Sequence, residues 1–219
     1  MKYKLIIFDF DGTLGDTRKN IVTTMQLTIA ELQLQQRSER QCAATIGLPL
    51  TGCFKALFPD LPPELIQRCA DTYRRIFDEK LRDIIPQAFP GVVETLTALG
   101  KQGGTLTIAS SRSNASLVRL TRDMGISDVI SLTLGSDDVE RAKPHPEAVL
   151  KTLATTHFKA DEALVVGDMA VDILMGANAG TRTCGVTWGN GSREELLQAG
   201  ADFIIDKMED LLLCNTLLP

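Results

Sequence analysis

The sequence predicts an α/β protein in which a doubly wound parallel sheet carries an inserted all-helical cap domain. Two observations predict the sheet. Apolar runs of strand length, such as Leu5 to Phe8 and Ala163 to Val166, end at Asp or Gly, as strands buried on both faces do. From Pro90 onward such runs alternate with amphipathic helical stretches at the spacing of βαβ units. A third observation predicts the insertion: between Thr17 and about Arg82 the apolar residues recur only at helical spacing.

Taken in order, Tyr3 to Asp9 is expected to form the first strand and to feed a loop at Asp11-Gly12. Ile21, Met25, Ile29 and Leu32 then mark one helix, and Leu65, Cys69, Tyr73, Ile76 and Phe77 another. Shorter amphipathic pieces at Gln41 to Ile46 and Gly52 to Leu57 lie between them, set off by Gly47-Leu-Pro49 and by the prolines at 59, 62 and 63. After Pro90-Gly91, Val92, Val93, Leu96 and Leu99 share a helical face that Gly100 and Gly103 end. Further strands are expected at Thr105 to Ala109, Val129 to Leu134, Leu164 to Val166, Thr183 to Thr187 and Asp202 to Ile205. Helices separate them: one capped by Ser113 and stopped at Gly125, and others at about Pro146 to Thr155, Ala170 to Ala179 and Arg193 to Ala199. The division expected is 1–14 and 89–219 for the α/β core and 15–88 for the helical cap. An insertion at a strand's carboxyl end lands beside the crevice where open α/β sheets bind ligands.

Composition excludes several function classes. A chain of 219 residues, 44% hydrophobic and 23% charged, can bury a sizeable core, so wholesale disorder is excluded. Its longest apolar runs are four residues, against the roughly 20 that a spanning helix needs, and a soluble protein without a membrane partner is expected. Lys2 and Lys4 precede Leu5 to Phe8, but Asp9 ends the run before it could serve as a signal-peptide core. Cys42, Cys53, Cys69, Cys184 and Cys214 form an odd set with no C-x-x-C, so reduced core thiols in a cytoplasmic protein are expected. A net charge of -5 disfavours a broad nucleic-acid surface and leaves small anionic substrates open. A monomer is favoured.

Four loops that follow strands carry the chemistry. In Asp9-Phe10-Asp11-Gly12-Thr13, two carboxylates at a strand tip raise each other's cost of ionisation unless a cation or proton lies between them. Gly12 allows a turn whose amides can face an anion. In Ala109-Ser110-Ser111-Arg112, a hydroxyl and the following amide could hold a phosphoryl oxygen. Prolines following Lys143 in Arg141-Ala-Lys143-Pro144-His145-Pro146 stiffen the loop and pre-set a charge clamp. In Gly167-Asp168-Met169-Ala170-Val171-Asp172, Asp168 at a strand tip and Asp172 in the next helix can point into one crevice. Ligands that are all oxygen favour Mg²⁺ over zinc or copper. A carboxylate nucleophile, a cation and a lysine are the ingredients of phosphoryl transfer through an aspartyl-phosphate.

These four segments, in this order over nearly the whole chain, resemble the haloacid dehalogenase superfamily, specifically its phosphatases with a helical cap, of phosphoglycolate phosphatase type. The resemblance implies a Rossmann-like core and a role for each residue. Asp9 would be nucleophile and Mg²⁺ ligand, and Asp11 the general acid/base that also lends a backbone carbonyl to the metal. Asp168 would be the third ligand, with Asp172 acting from beyond the ligands or through water. Ser110, the Ser111 amide and Lys143 would hold the phosphoryl group of a small phosphorylated metabolite. Ser110 stands where the family often has Thr, and Met169 where a small hydroxyl residue is common. Ile46-Gly-Leu-Pro49-Leu50 also resembles the caps of that type.

Other readings are weaker. His145 and His157 pair with no nucleophile at a recognisable elbow and are assigned to loop or surface. Gly47 and Gly52 have P-loop spacing, but Cys53-Phe54 replaces the required Lys-Ser/Thr. Arg18, Lys19 and Lys55 are expected on solvated faces. A dehalogenase of the resembling family would lack a carboxylate at Asp11. A sugar phosphomutase of the β-phosphoglucomutase type shares both aspartates but usually has an acidic pair where this chain has Gly167-Asp168. A non-enzymatic binding module on the same scaffold would not need every motif group.

Overall fold

A computed structural model describes residues 2–81 and 84–214. The expected end of the helical stretch at Arg82, and the outermost core residues Met1 and 215–219, lie outside the described residues. β1 (Leu5–Phe8) is buried at every position. It is shorter than Tyr3 to Asp9, although the Asp9 N–H still reaches the Val166 carbonyl at 2.8 Å. A tight loop leads to the two-residue β2 (Gly15–Asp16). Then come α1 (Arg18–Glu31), α2 (Glu39–Ala43), α3 (Leu50–Leu57) and α4 (Pro63–Ile76), the last running into a π-helical turn at Phe77–Leu81. α4 starts on a proline, whose missing N–H falls where no helical partner exists. β3 (Gln87–Ala88) pairs antiparallel with β2, Gly15 opposite Ala88 and Asp16 opposite Gln87. The two chain crossings between helices and sheet therefore run side by side.

The rest of the chain alternates: α5 (Val92–Lys101), β4 (Thr105–Ala109), α6 (Asn114–Asp123), β5 (Ile130–Leu134), α7 (Glu147–Thr156), β6 (Ala163–Gly167), α8 (Ala170–Asn178), β7 (Arg182–Val186), α9 (Arg193–Gln198), β8 (Phe203–Ile205) and α10 (Asp210–Cys214). The six long strands form one parallel sheet in the order β5-β4-β1-β6-β7-β8. The chain leaves β1 toward one edge and returns to β6 on its other side. That reversal puts the topological switch point at the carboxyl end of β1.

Strand residues divide between two cores, as the period of two requires. Ile6, Phe8, Leu106, Ile108, Leu164 and Val166 pack with residues of α5 and α6 such as Leu96 and Leu117. Leu5, Ile7, Ala109, Ala163 and Val165 pack on the opposite face with Ala148 and Val149 of α7 and Met175 of α8. A third cluster belongs to the helical segment alone and includes Ile21, Met25, Ile29, Cys42, Phe54 and Cys69. Each fully buried Leu, Ile or Phe contributes about 1.5–3 kcal/mol of apolar burial, so each cluster can hold its own elements together.

Three local details differ from expectation. Ser113 occupies the N-cap of α6 without capping it; the Asn114 N–H is taken instead by Asp137 Oδ1 at 2.7 Å, reaching in from beyond β5. Val129 closes a short 3₁₀ turn rather than opening β5. The apolar run at Leu211 to Cys214, expected as no element, forms α10 because Leu211 can enter the first core cluster. All five cysteines are free and four are buried. Among the described residues, no helix is long and apolar enough to cross a membrane.

Candidate active site

Phe8 at the end of β1 is level with Ile108 of β4 and Val166 of β6, so the loops after these strands open on one crevice. Asp9, Ser110 and Asp168 follow directly and are all buried. Lys143 arrives from the loop before α7, its peptide to Pro144 cis. Its Nζ donates to Asp9 Oδ1 at 2.5 Å and to Asp172 Oδ1 at 2.7 Å. Asp172 is fixed by the local fold, because its other oxygen accepts the Met169 N–H at 3.0 Å and closes the first turn of α8. Asp168 accepts from Thr13 Oγ1 at 3.1 Å and from the Asn190 backbone and side-chain amides at 2.7 and 3.1 Å.

Asp9, Asp168 and Asp172 each present an oxygen within 4.8 Å of the others. Burial pushes the Asp9 carboxyl well up, against the pull of Lys143. Burial, then the charge of Asp172, raises Asp168 to about 7 despite its amide donors. Burial alone would lower the Lys143 ammonium, but Asp172 and Asp9 outweigh it and hold it charged. One ammonium therefore faces three buried carboxylates. That imbalance, with donors that are all oxygen, fits a hard divalent cation. Asp172, expected to act from behind the ligands, stands among the three.

Asp11 points elsewhere. Its Oδ1 accepts from Thr17 Oγ1 at 2.5 Å, and both its oxygens lie 2.8 Å from Arg112 Nε. Ser110 Oγ accepts the Arg112 N–H at 3.3 Å, and Ser111 Oγ donates to the Gly47 carbonyl at 2.7 Å, across to the helical segment. Gly12 has φ +88°, and a Cβ there would collide with the Asp168 carboxylate and the Asn190 amide. Its own N–H donates to the Gly15 carbonyl at 3.0 Å, so this amide, expected to face an anion, closes the turn instead.

A cavity of about 680 Å³ adjoins these loops. Asp11, Ser111, Arg112 and Arg119 line its sheet side, and Met25, Leu48, Tyr73 and Phe77 its helical side. Arg18, Lys19 and Lys55 are exposed outside it, and His157 ends α7 at the surface. His145 accepts the Glu147 N–H and is absorbed in its loop.

Sequence reasoning gave no role to Arg112, Thr17 or Asn190. Arg112 sits within the quoted second loop, but nothing local announces that it turns back to Asp11. Asn190 lies between Gly189 and Gly191, and those glycines are the signal, since a Cβ on either would strike Asp168.

Comparison with known proteins agrees with this geometry. The protein named Probable phosphatase IndB of Dickeya dadantii is 36% identical over 213 residues, 95% of this chain and 91% of that one. Pyrophosphatase PpaX of Anoxybacillus flavithermus is 36% identical over 217 residues, covering 97% and 96%. The solved structure of a haloacid dehalogenase-like family hydrolase from Streptococcus pneumoniae superposes with a TM-score of 0.86 at 25% identity, covering 97% and 98%. With the family model for haloacid dehalogenase-like hydrolases also matching residues 6–186, the chain belongs to that family.

Proposed function

We infer that the protein is a Mg²⁺-dependent phosphatase that hydrolyses a small phosphorylated metabolite through an aspartyl-phosphate on Asp9, with no nucleic-acid or membrane partner. One observation carries this reading: Asp9 is held on Lys143 among two further carboxylates, while Asp11, two residues on, is held by different partners. Two carboxylates with separate environments suit separate roles. Relatives named phosphatase and pyrophosphatase support the reaction class.

Asp9, Asp168 and the Asp11 backbone carbonyl would hold Mg²⁺, with Asp172 beside them. Bound there, the ion supplies charge stabilisation to the transferring group. Asp9 attacks phosphorus and forms the new P–O bond as the bond to the leaving oxygen breaks. Asp11 gives that oxygen a proton, then takes one from the water that cleaves the aspartyl-phosphate to free Asp9 and phosphate. Lys143, Ser110 and the Ser111 amide hold the phosphoryl oxygens. The helical segment, residues 15–88, acts as a cap that admits substrate and excludes bulk water. A phosphomutase of the β-phosphoglucomutase type is disfavoured because this chain has Gly167-Asp168 where that type usually has an acidic pair.

The test is phosphate release from a panel including phosphoglycolate, pyrophosphate, sugar phosphates and nucleoside monophosphates, with Mg²⁺ and with chelator. Mg²⁺-dependent turnover is expected on at least one of them, lost in Asp9→Asn. Solvent ¹⁸O should enter Asp9 during multiple turnovers. An active Asp9→Asn variant with no label in the wild-type carboxylate would replace the covalent route with direct attack by water.

A further inference from the structure

We propose that Arg112 is a positioning residue for Asp11, and that Phe77 of the helical segment holds Arg112 in place. The proposal rests on the phosphatase reading, in which Asp11 moves the proton. Arg112 Nε lies 2.8 Å from both Asp11 oxygens, and the two side chains are only 13% and 12% exposed. Its own segment is fixed, because the Arg112 N–H donates to Ser110 Oγ and its carbonyl accepts the Ser136 N–H at 2.7 Å. Its guanidinium lies over two rings, 6.0 Å from the centroid of Phe10 beside β1 and 5.9 Å from that of Phe77, which Arg119 also faces at 5.9 Å. Tyr73 stacks on Phe77 from within the segment at 6.4 Å with an interplanar angle of 8°.

Both Asp11 oxygens share the single Nε–H of Arg112, and a rigid planar guanidinium holds that donor in one direction, which a flexible ammonium does not. With Thr17 on Oδ1, Arg112 leaves Asp11 little freedom to rotate. Phe77 belongs to the segment between the paired crossings β2 and β3, so displacement of that segment would remove one of the two faces that hold the guanidinium. The orientation of the proton-transferring carboxylate thereby depends on the seating of the helical segment. A misplacement of about 1 Å at such a group costs on the order of 10²-fold in rate.

The experiment compares turnover of an alkyl phosphate with that of p-nitrophenyl phosphate, whose leaving oxygen needs little protonation. Arg112→Ala should lower kcat for the alkyl ester on the order of 10- to 100-fold more than for the aryl ester, with added methylguanidinium restoring part of the loss. Arg112→Lys, which keeps the charge without the rigid guanidinium, should fall between, and Phe77→Leu should show the same selective loss to a smaller degree. In an Asp11→Asn background, Arg112→Ala should cost nothing further, since groups acting through one another are non-additive. Equal losses on both esters, a change confined to KM, or additive losses with Asp11→Asn would overturn the positioning role. A wild-type protein that releases phosphate with Mg²⁺ from neither ester and from no member of the metabolite panel would instead overturn the phosphatase reading.

Discussion

Lys143 Nζ lies 2.5 Å from Asp9 Oδ1, across 134 residues of sequence, with the two side chains 6% and 9% exposed. A buried ion pair of this kind is costly to break from one side, because the remaining charge loses its partner without regaining water.

Replacing Lys143 with methionine keeps the aliphatic volume and leaves Asp9 and Asp172 without their ammonium. Stability in chelator at neutral pH should fall by about 3–5 kcal/mol, read as a lower urea midpoint. Mg²⁺ should recover part of the loss, since a ligand bound only by the folded state stabilises it. An unchanged midpoint in chelator would show that the ammonium does not offset these carboxylates.

Asp168 is linked to the sole tryptophan through Thr13, whose hydroxyl donates to Asp168 while its carbonyl accepts from Trp188 Nε1 at 3.1 Å. Trp188 fluorescence should therefore report Mg²⁺ binding without any substrate. Asp168→Ala should raise the apparent Kd at least about tenfold, the lower end of what even supporting residues of metal sites cost. A variant that titrates like the wild type would remove Asp168 from the ligand set.

The loop that carries Lys143 is tied by Glu147, which accepts the N–H groups of Glu140 and Arg141 at 2.9 Å each and pairs with Lys151. The Lys151 hydrogen bond, then the Glu140 N–H, holds this carboxyl down at about 2. A depressed folded value means stability that is complete above the unfolded value, about 4.3, and lost as pH falls toward 2. Wild type should accordingly exceed Glu147→Gln in stability at pH 6, with the gap closing between pH 5 and 2. A gap that widened on acidification would reverse the sign and refute the assignment.

Hydrogen exchange should separate the sheet from the crossings to the helical segment. β1 pairs with a full strand on each side, whereas β2 and β3 form a two-residue pair whose further support is the turn that bridges Gly15 to Asp11. Amides at Gly15-Asp16 and Gln87-Ala88 should exchange faster than those of Leu5 to Phe8 by orders of magnitude, as local opening allows. Equal protection would mean that the helical segment does not move on the sheet.

The sequence alone determined the periodic part of this protein. The fully buried run Leu5–Phe8 and the amphipathic spacing of residues such as Ile21, Met25 and Ile29 are written in neighbours a few positions apart, because side-chain direction repeats every two residues in a strand and every 3.6 in a helix. The four polar loops were legible for the same reason, each falling where a periodic run stops. Only the tertiary structure decided which partners those loops acquire. Arg112 meets Asp11 across 101 residues, Ser111 meets Gly47 across 64, and Asp137 rather than the adjacent Ser113 caps α6. Such pairings depend on strand order and on where each loop emerges from the sheet, and no periodicity links residues separated by whole strands and helices. Asp172 shows both influences: its place in the first turn of α8 follows from local sequence, while its proximity to Asp9 and Lys143 follows from β6 lying beside β1.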